Sequence, residues 1–407
     1  MLYDTDYLLN KLKAKSDGSK TTEDLSYLLK DDKRLDGALD LFSELRLQFA
    51  SYFNLDSISL VTGNGSSIYA DSKATTNFDL TKYADATEFD PIKAEVSHIT
   101  YDDMETALNK LIILSEQKKI IEDETCGACY QALISKLKKD LIDNFVNSID
   151  YNKLTLHEIL FRKLRFYGCL DKVNIFTANY DLAFEYTLDK MDIEYNDGFS
   201  GFVNRKFSPR TLEKNSKRLT LDKFHGSVNW VNDNDEIKEV QPKFQAEHAK
   251  DKDGHDITKL NVQLNTNDDH VLIYPTSNKL YQTYSVPYSE LMRFMLDKFE
   301  SVRNLIIVIG YKYGDDHINE ILTKALANPG NVFFFFEYDE NHSDYIEKMT
   351  ALSQSMTNVN VLTGNIMGDF TNFVKYMVPA AAEKTDEEKA VELLRKVMNS
   401  SKDGESK

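Results

Sequence analysis

The stretch SISLVTGNGSS (Ser57–Ser67) places β-branched and apolar residues directly before a glycine-rich turn. Such a run is typical of a buried strand, and the first glycine marks its end. Glycines let the backbone pass close to a phosphate group, and the amides that follow can bind it. The candidate phosphate-binding residues are Gly63, Asn64, Gly65, Ser66 and Ser67. The stretch matches neither G-x-G-x-x-G nor the P-loop, so a tight strand–helix turn without a ligand is the alternative.

Three later segments repeat this design of an apolar strand followed by a polar or glycine-containing turn. They are FTANYD (Phe176–Asp181), FHGS (Phe224–Ser227) and IVIGYKYGDDHI (Ile307–Ile318). In an open parallel α/β sheet the carboxyl ends of the strands line one crevice, and ligands bind there. The four segments therefore predict a single shared site.

The FTANYD segment supplies Thr177, Asn179 and Asp181 just past its strand. The Asn179 side chain can donate and accept hydrogen bonds, and Asp181 offers a carboxylate beside it. These types suit the recognition of ribose and carboxamide groups. The alternative is an Asx turn that caps a helix beginning at Leu182.

The FHGS segment supplies His225, followed by Gly226, which leaves room for close backbone approach. A neutral imidazole accepts a proton at physiological pH and therefore suits a general base. The other seven histidines lack a comparable setting beside a glycine at a strand end. A buried histidine with only a packing role is the alternative.

The fourth segment is predicted to turn at Gly310, with Tyr311 beside it, and to start a helix near His317 that Asp315 or Asp316 caps. The next strand, in VFFFFEYD, ends at Glu337. An acid at such a strand end is well placed to bind the hydroxyl groups of an adenosine ribose. A solvent-exposed acid without a ligand is the alternative.

Composition excludes several classes of function. The 407-residue chain has a net charge of −17, which disfavours direct nucleic-acid binding. Its three cysteines, Cys126, Cys129 and Cys169, do not make a disulfide framework, and the single C-x-x-C lacks the second pair of a structural zinc site, so no metal is expected. No signal peptide and no membrane span is predicted. The expected location is a reducing cytoplasm.

Alternation of strand and helix predicts an α/β fold with a doubly wound, Rossmann-like parallel sheet. We expect an N-terminal helical extension over residues 1–55 and a main domain over 56–380. A helical insert is predicted within it at about 103–168, and a C-terminal helix and tail at 381–407. The hydrophilic stretch at about 231–268 is expected to be a long loop or a small excursion, and Val271–Tyr274 a further strand.

In this order the segments resemble the sirtuin family. Gly63, Gly65 and Ser66 match its phosphate loop, and Asn179 with Asp181 its Asn-x-Asp segment. His225–Gly226 match its His-Gly pair and Gly310 its late glycine turn, where Lys312 replaces the usual serine. Residues 228–300 lack the four zinc cysteines of the protein deacylases, and IYADSKATTNFD (Ile68–Asp79) does not match their Gly-x-Pro-Asp-Phe-Arg segment.

What remains is similar to bacterial sirtuin-like proteins that hydrolyse NAD+ in antiphage defence. The resemblance implies NAD+ as substrate without zinc, abortive infection through NAD+ loss, a homo-oligomer, and a separate HerA-type ATPase as partner. It implies Asn179 and His225 as catalytic residues and Asp181 as the ligand of the nicotinamide carboxamide. Two alternatives stay open: an NAD-dependent deacylase or ADP-ribosyltransferase, and a non-catalytic scaffold that senses NAD+ or ADP-ribose.

Overall fold

A parallel eight-stranded sheet forms the centre of the molecule, and helices cover both of its faces. The computed structural model describes residues 1–14, 20–30, 35–73, 79–101, 104–142, 148–214, 218–234, 236–250, 254–264, 270–272, 286–301, 303–339 and 342–379. The predicted C-terminal helix and tail at 381–407 lie outside these residues.

The described strands are β1 (Leu2–Tyr3), β2 (Ser57–Thr62), β3 (Val173–Thr177), β4 (Tyr195–Asn196), β5 (Phe199–Ser200), β6 (Lys206–Phe207), β7 (Leu219–Lys223), β8 (Gly226–Asp233), β9 (Glu236–Glu239), β10 (Lys243–Lys250), β11 (Asp256–Gln263), β12 (His270–Leu272), β13 (Asn304–Ile309), β14 (Val332–Glu337) and β15 (Val359–Thr363).

The described α-helices are α1 (Thr5–Ala14), α2 (Thr22–Lys30), α3 (Leu35–Leu41), α4 (Ser43–Tyr52), α5 (Leu80–Tyr83), α6 (Asp90–Ser97), α7 (Met104–Ile120), α8 (Glu124–Asp140), α9 (Thr155–Phe166), α10 (Ala183–Lys190), α11 (Pro209–Lys214), α12 (Tyr288–Ser301), α13 (Asp316–Ala325), α14 (Asp344–Ser353) and α15 (Phe370–Asn372).

The strand order of the main sheet is β1-β15-β14-β13-β2-β3-β7-β4, and every neighbouring pair is parallel. From β2 the chain first adds β3 and β7 on one side, and later adds β13, β14 and β15 on the other. This is the 3-2-1-4-5-6 order of doubly wound sheets, with its switch point between β2 and β13. The predicted α/β fold class is confirmed.

Both faces of the sheet are buried, so its central strands are apolar almost throughout. In β2, Ile58 and Leu60 pack into a core with α4, α9 and α10, whereas Val61 packs into a second core with α12, α13 and α14. Burial on both sides explains the near-continuous apolar runs NLIIVI of β13 and VFFFFE of β14.

The predicted helical insert corresponds to α7, α8 and α9, although residues 103 and 143–147 lie outside the described part. Helices α7 and α8 form a third core together with α5 and α6. This third core includes Tyr180, Leu182 and Ala183, which follow β3, and Val228 of β8. In contrast, α9 packs into the first core through Leu160. Of the helices that precede β3, α9 therefore packs on a face of the sheet, whereas α7 and α8 pack against the segment that follows β3.

The hydrophilic stretch after FHGS is a β-rich excursion rather than a loop. It contains the β10–β11 hairpin and much of a second sheet of five strands, ordered β12-β8-β9-β6-β5. The strand predicted at Val271–Tyr274 corresponds to β12, which covers His270–Leu272. Residues 273 and 274 lie outside the described part of the chain. Strand β12 pairs antiparallel with β8 and so does not join the parallel sheet.

At the other end of the chain, the helices predicted over residues 1–50 follow a strand that the sequence analysis missed. Strand β1 pairs with the edge strand β15, and the N-terminal ammonium group donates to the Val359 carbonyl oxygen at 2.7 Å. None of the helices in the described ranges is long and apolar enough to cross a membrane.

Candidate functional site at the switch point

The carboxyl ends of four neighbouring strands form one row. Ile309 of β13 pairs with Thr62 of β2, Thr62 pairs with Thr177 of β3, and Thr177 pairs with Lys223 of β7. Because neighbouring strands lie about 4.8 Å apart, the residues that follow these positions share one edge of the sheet. These residues are the four predicted segments, which the structure brings together.

The two glycine turns at the switch point pack backbone against backbone. The Gly65 N–H donates to the Gly310 carbonyl oxygen at 2.9 Å. A Cβ atom on Gly310 would lie 2.6 Å from the Ser66 nitrogen, and one on Gly65 would lie 2.6 Å from the Gly310 Cα. Gly310 also has a φ of 69°, which favours glycine. Close packing of the turns is thus a role of these glycines that the sequence analysis did not consider.

The amides of this first turn already have acceptors in the protein. Besides Gly65, Ser66 donates its N–H to the Gly63 carbonyl at 3.0 Å, and Ser67 donates to the Asn64 carbonyl at 2.9 Å. The Asn64 side chain is exposed, and its Oδ1 accepts from the Ser72 hydroxyl at 2.6 Å. The N–H groups of residues 65–67, which the sequence suggested as phosphate donors, are therefore already bonded to carbonyl oxygens of the protein.

The loop after β3, which we name the amide loop (Ala178–Leu182), carries Asn179 in a buried position. Its Nδ2 donates to the hydroxyl oxygens of Ser66 and Ser67, each at 3.2 Å. Its backbone N–H donates to Thr177 Oγ1 at 3.1 Å. The side chain is thus oriented from two adjacent strand ends, which is the kind of support a substrate-binding amide requires.

Asp181 closes the amide loop onto the following helix. Its Oδ1 accepts the N–H of Ala183, the first residue of α10, at 2.9 Å. Burial raises the pKa of the Asp181 carboxyl above its ordinary value, while the nearby Lys223 ammonium opposes this change. The Asx turn considered from the sequence is therefore present, with the helix beginning one residue later than expected.

Lys223 is a buried residue of the site that the sequence analysis missed. Its ammonium group donates to the carbonyl oxygens of Tyr180, at 3.4 Å, and of Asp181. It also forms an ion pair of 2.9 Å with Glu185 of α10. A lysine at the end of the apolar strand LTLDK, directly before the His-Gly pair, is the sequence signal that was available.

His225 occupies the turn between β7 and β8 and is 5% exposed. It lies two residues beyond Lys223, just as Asn179 lies two residues beyond the paired Thr177. The two turns are joined because the Val228 N–H donates to the Tyr180 carbonyl at 3.1 Å. The structure thus places the predicted amide and imidazole at equivalent positions of adjacent strand ends.

The loop after β13, which we name the tyrosine loop (Gly310–Asp315), reaches across the row to His225. The Tyr311 hydroxyl donates to Asp315 Oδ2 at 3.0 Å, and the same oxygen lies 3.7 Å from His225 Nε2. Asp315 stands at the N-cap position of α13, yet its side chain forms no capping hydrogen bond. Asp315 or Asp316 was predicted to cap this helix, and for the side chain of Asp315 that prediction is wrong.

Glu337 lies apart from these residues, at the end of β14 and one strand beyond β13. Its carboxylate accepts the Ser343 N–H at 3.3 Å and lies 3.6 Å from His342 Nδ1. It is buried, and burial raises the pKa of its carboxyl. The alternative of a solvent-exposed acid is therefore wrong, and the ribose contact stays a prediction.

The C-x-x-C cysteines lie on α8, away from the row of strand ends. The Cys126 thiol faces the Pro91 carbonyl at 3.8 Å, and the Cys129 thiol faces the Glu88 carbonyl at 3.4 Å. Both thiols are free. Within the described ranges, no three His, Cys, Asp or Glu residues are grouped as metal ligands.

Comparison with known proteins gives one family match. Residues 173–354, which include the amide loop, His225 and the tyrosine loop, match the family described as a SIR2-like domain. No curated protein sequence matches the chain.

Solved structures similar to this one include a Sir2 homologue in complex with NAD, at 11% identity and a TM-score of 0.38, covering 81% of this chain and 91% of the homologue. Another is a Sir2 homologue mutant in complex with ADP-ribose, at 11% identity and a TM-score of 0.35, covering 81% and 94%. A third is Sir2Tm bound to a propionylated peptide, at 10% identity and a TM-score of 0.38, covering 81% and 94%.

Proposed function

We propose that the protein hydrolyses NAD+ to nicotinamide and ADP-ribose. The observation that supports the proposal is the row of four strand ends, in which Asn179 and His225 follow adjacent strands at equivalent positions within the stretch that matches a SIR2-like domain. An amide and an imidazole at a doubly wound switch point suit a dinucleotide and a water molecule.

In this proposal the bond that breaks joins C1′ of the ribose to the nicotinamide nitrogen. The electron pair leaves with nicotinamide, which departs neutral because its ring was cationic. The oxygen of water bonds to C1′, and the proton that water loses passes to His225. Asn179 orients the ribose and the water. The transition state resembles an oxocarbenium ion, so fixed dipoles near C1′ lower the barrier.

The remaining roles concern binding. Asp181 would hold the nicotinamide carboxamide, and Glu337 the adenosine ribose. The first turn would bind the pyrophosphate through Ser66 and neighbouring residues, and Thr177, Gly310 and Tyr311 would line the dinucleotide site. The N–H groups of residues 65–67 and the Ser66 hydroxyl already donate to carbonyl oxygens of the protein, so phosphate binding would exchange some of these bonds for bonds to phosphate oxygens.

Hydrolysis is favoured over deacylation because residues 228–300 contain no cysteine and so cannot build the four-cysteine zinc module of the deacylases. Supplying NAD+ without any acceptor separates the two reactions, because hydrolysis proceeds and deacylation does not. A nucleotide-sensing scaffold, in contrast, would bind NAD+ without turnover.

We further propose a role in antiphage defence, in which NAD+ loss stops the infected cell. A toxic NADase has to be idle until it is triggered, and assembly into a homo-oligomer with a HerA-type ATPase is the control we propose. Dilute isolated subunits are then expected to show low turnover. Equal turnover per subunit with and without assembly would contradict this control.

The test is nicotinamide release from NAD+ by the purified chain, with and without a HerA-type ATPase. Asn179→Ala and His225→Ala are expected to abolish release, because each removes a group that acts at C1′. Circular dichroism and thermal unfolding establish that the variants are folded. Normal release by either folded variant would remove the assignment.

A further inference from the structure

Asp315 has the position of a helix cap without the bonding of one. It immediately precedes α13 with φ −106° and ψ 101°, which is the extended backbone typical of an N-cap residue. A capping carboxylate here would stabilise the helix by about 1 kcal/mol. The side chain forms no such bond, so its orientation is set by other contacts.

Those contacts lead to His225. Asp315 Oδ2 lies 3.7 Å from His225 Nε2, a distance that fits an ion pair but exceeds a direct hydrogen bond. Only 11% of the Asp315 side chain and 6% of the His225 side chain are exposed. Burial of both groups weakens solvent screening, so the charge of one strongly affects the other.

Tyr311 holds the carboxylate in this orientation. Its hydroxyl donates to the same Oδ2 at 3.0 Å, and its side chain is itself buried. The ring of Tyr311 packs edge-on against that of Tyr313, with centroids 5.4 Å apart. The oxygen that faces the imidazole is thus positioned by a packed aromatic pair and not by a mobile surface chain.

We propose that Asp315 is the positioning residue of His225: it orients the imidazole and stabilises the imidazolium that forms when His225 takes a proton. The catalytic role of Asp315 rests on the proposed function, whereas the pairing of Asp315 with His225 does not depend on it. A carboxylate beside an imidazole favours the charged form, which assists proton uptake from water at the reacting carbon. Catalytic contacts of this kind are often long without substrate and shorten in the complex.

Two further groups face His225 and enter its titration. The His317 ring, in the first turn of α13, has its centroid 5.7 Å from that of His225. The Tyr180 ring, in the amide loop, lies at 6.4 Å. Asp315 lies within ion-pair distance of His225, so removal of its charge is expected to change the titration midpoint of His225.

The experiment compares Asp315→Asn with Asp316→Asn in the full chain. Asp316 is the next acid along the chain and is exposed, so it controls for loss of one negative charge at the same helix start. The titration midpoint of His225 is measured by NMR on ¹³C-histidine-labelled protein, and the resonance is assigned by its loss in His225→Gln. Asp315→Asn is expected to lower this midpoint by about one pH unit, and Asp316→Asn to leave it unchanged.

Nicotinamide release supplies the second readout. In Asp315→Asn, kcat/KM is expected to fall by about a hundredfold, and its acid limb to move to lower pH. Asp315→Glu keeps the charge, so it is expected to keep the His225 midpoint while losing part of the rate. It also keeps the test valid should Asp315→Asn fail to fold.

An unchanged His225 midpoint in folded Asp315→Asn would overturn the pairing. In an active enzyme, a kcat/KM of Asp315→Asn equal to that of Asp316→Asn would overturn the positioning role. If the midpoint shifts while the wild-type chain releases no nicotinamide under any condition, the pairing stands and the proposed hydrolysis is what fails. The two hypotheses are therefore separated by the same set of samples.

Discussion

The amide loop and the tyrosine loop begin alike and are held in place differently. Each follows a buried strand of the same sheet, and each contains an aspartate one or two residues before a helix. In the amide loop, Asp181 accepts the N–H of Ala183, the first residue of α10, in an Asx turn. In the tyrosine loop, Asp315 leaves its helix uncapped and turns towards Tyr311 and His225.

The difference lies in what surrounds each carboxylate. Beside the amide loop stands the buried Lys223, which binds two of the loop's carbonyl oxygens and pairs with Glu185 on α10. Near the Asp315 carboxylate are the buried hydroxyl of Tyr311, within the same loop, and the imidazole of His225. The same local sequence pattern thus gives an acid bonded to its own helix in one loop and an acid turned towards His225 in the other.

The largest effect is expected from removing the ammonium that holds the amide loop. Lys223→Met leaves Glu185 and two carbonyl groups without their buried donor, so the free energy of unfolding is expected to fall by about 3–5 kcal/mol. Urea denaturation monitored by circular dichroism measures it.

Lys190→Met is the matched control. Lys190 lies on α10, the helix that carries Glu185, and forms a 2.8 Å ion pair with Glu158, but its side chain is 46% exposed. The cost of Lys190→Met is expected to stay within about 1 kcal/mol. The double variant Lys223→Met/Glu185→Met removes both buried charges and is expected to recover part of the loss. Equal costs for the two single variants would show that the amide loop does not depend on Lys223.

The tyrosine loop depends instead on a glycine contact. Gly310→Ala places a Cβ 2.6 Å from the Ser66 nitrogen at a φ of 69°, so the two turns have to separate. The expected loss is about 2–4 kcal/mol of unfolding free energy, measured by the same denaturation.

Gly314→Ala is the control within the tyrosine loop, because a Cβ there meets no atom within 4 Å and φ lies outside the left-handed range. Its effect is expected to stay within about 0.5 kcal/mol. A similar loss in both variants would mean that turn packing at the switch point is not what holds this loop.

The smallest effect concerns the charge of Asp181. Burial raises the pKa of its carboxyl, so the folded chain holds this proton more tightly than the unfolded chain does. Its contribution to stability is therefore lost as pH rises above the ordinary value of an aspartate. Asp181→Asn is expected to flatten the fall of unfolding free energy as pH rises above the ordinary pKa of an aspartate, by about 1.4 kcal/mol for each unit by which burial raises the Asp181 pKa.

Asp79→Asn gives the opposite sign and serves as the comparison. Asp79 caps a helix, but it is exposed, and the Thr81 hydroxyl lowers the pKa of its carboxyl. Its stabilising contribution is present above the ordinary aspartate pKa and is lost as pH falls, so removing it changes the pH slope in the other direction. Identical slope changes for the two variants would contradict the burial argument for Asp181.

Part of the site was predictable because strand ends have a sequence signature. The apolar runs before Gly63, Ala178, Phe224 and Gly310 predicted four strands, and parallel topology then placed their ends at one edge. The β10–β11 pair and strand β9 of the small second sheet were not predicted, because these strands are hydrophilic and few of their residues are buried. Strand β1 was missed because two residues carry no periodicity.

The chain's sequence by itself determined the α/β class, the four turn segments and their amide, carboxylate and imidazole groups, since burial on both faces forces apolar strands and turns need glycine or polar residues. Only the tertiary structure decided which carboxylate bonds to its own helix, which lysine is buried under the amide loop, and that Gly65 and Gly310 touch. These outcomes depend on contacts between residues far apart in the chain, such as Gly65 with Gly310 and His225 with Asp315. A local sequence pattern cannot predict these contacts, because the order and the register of the strands determine which residues meet.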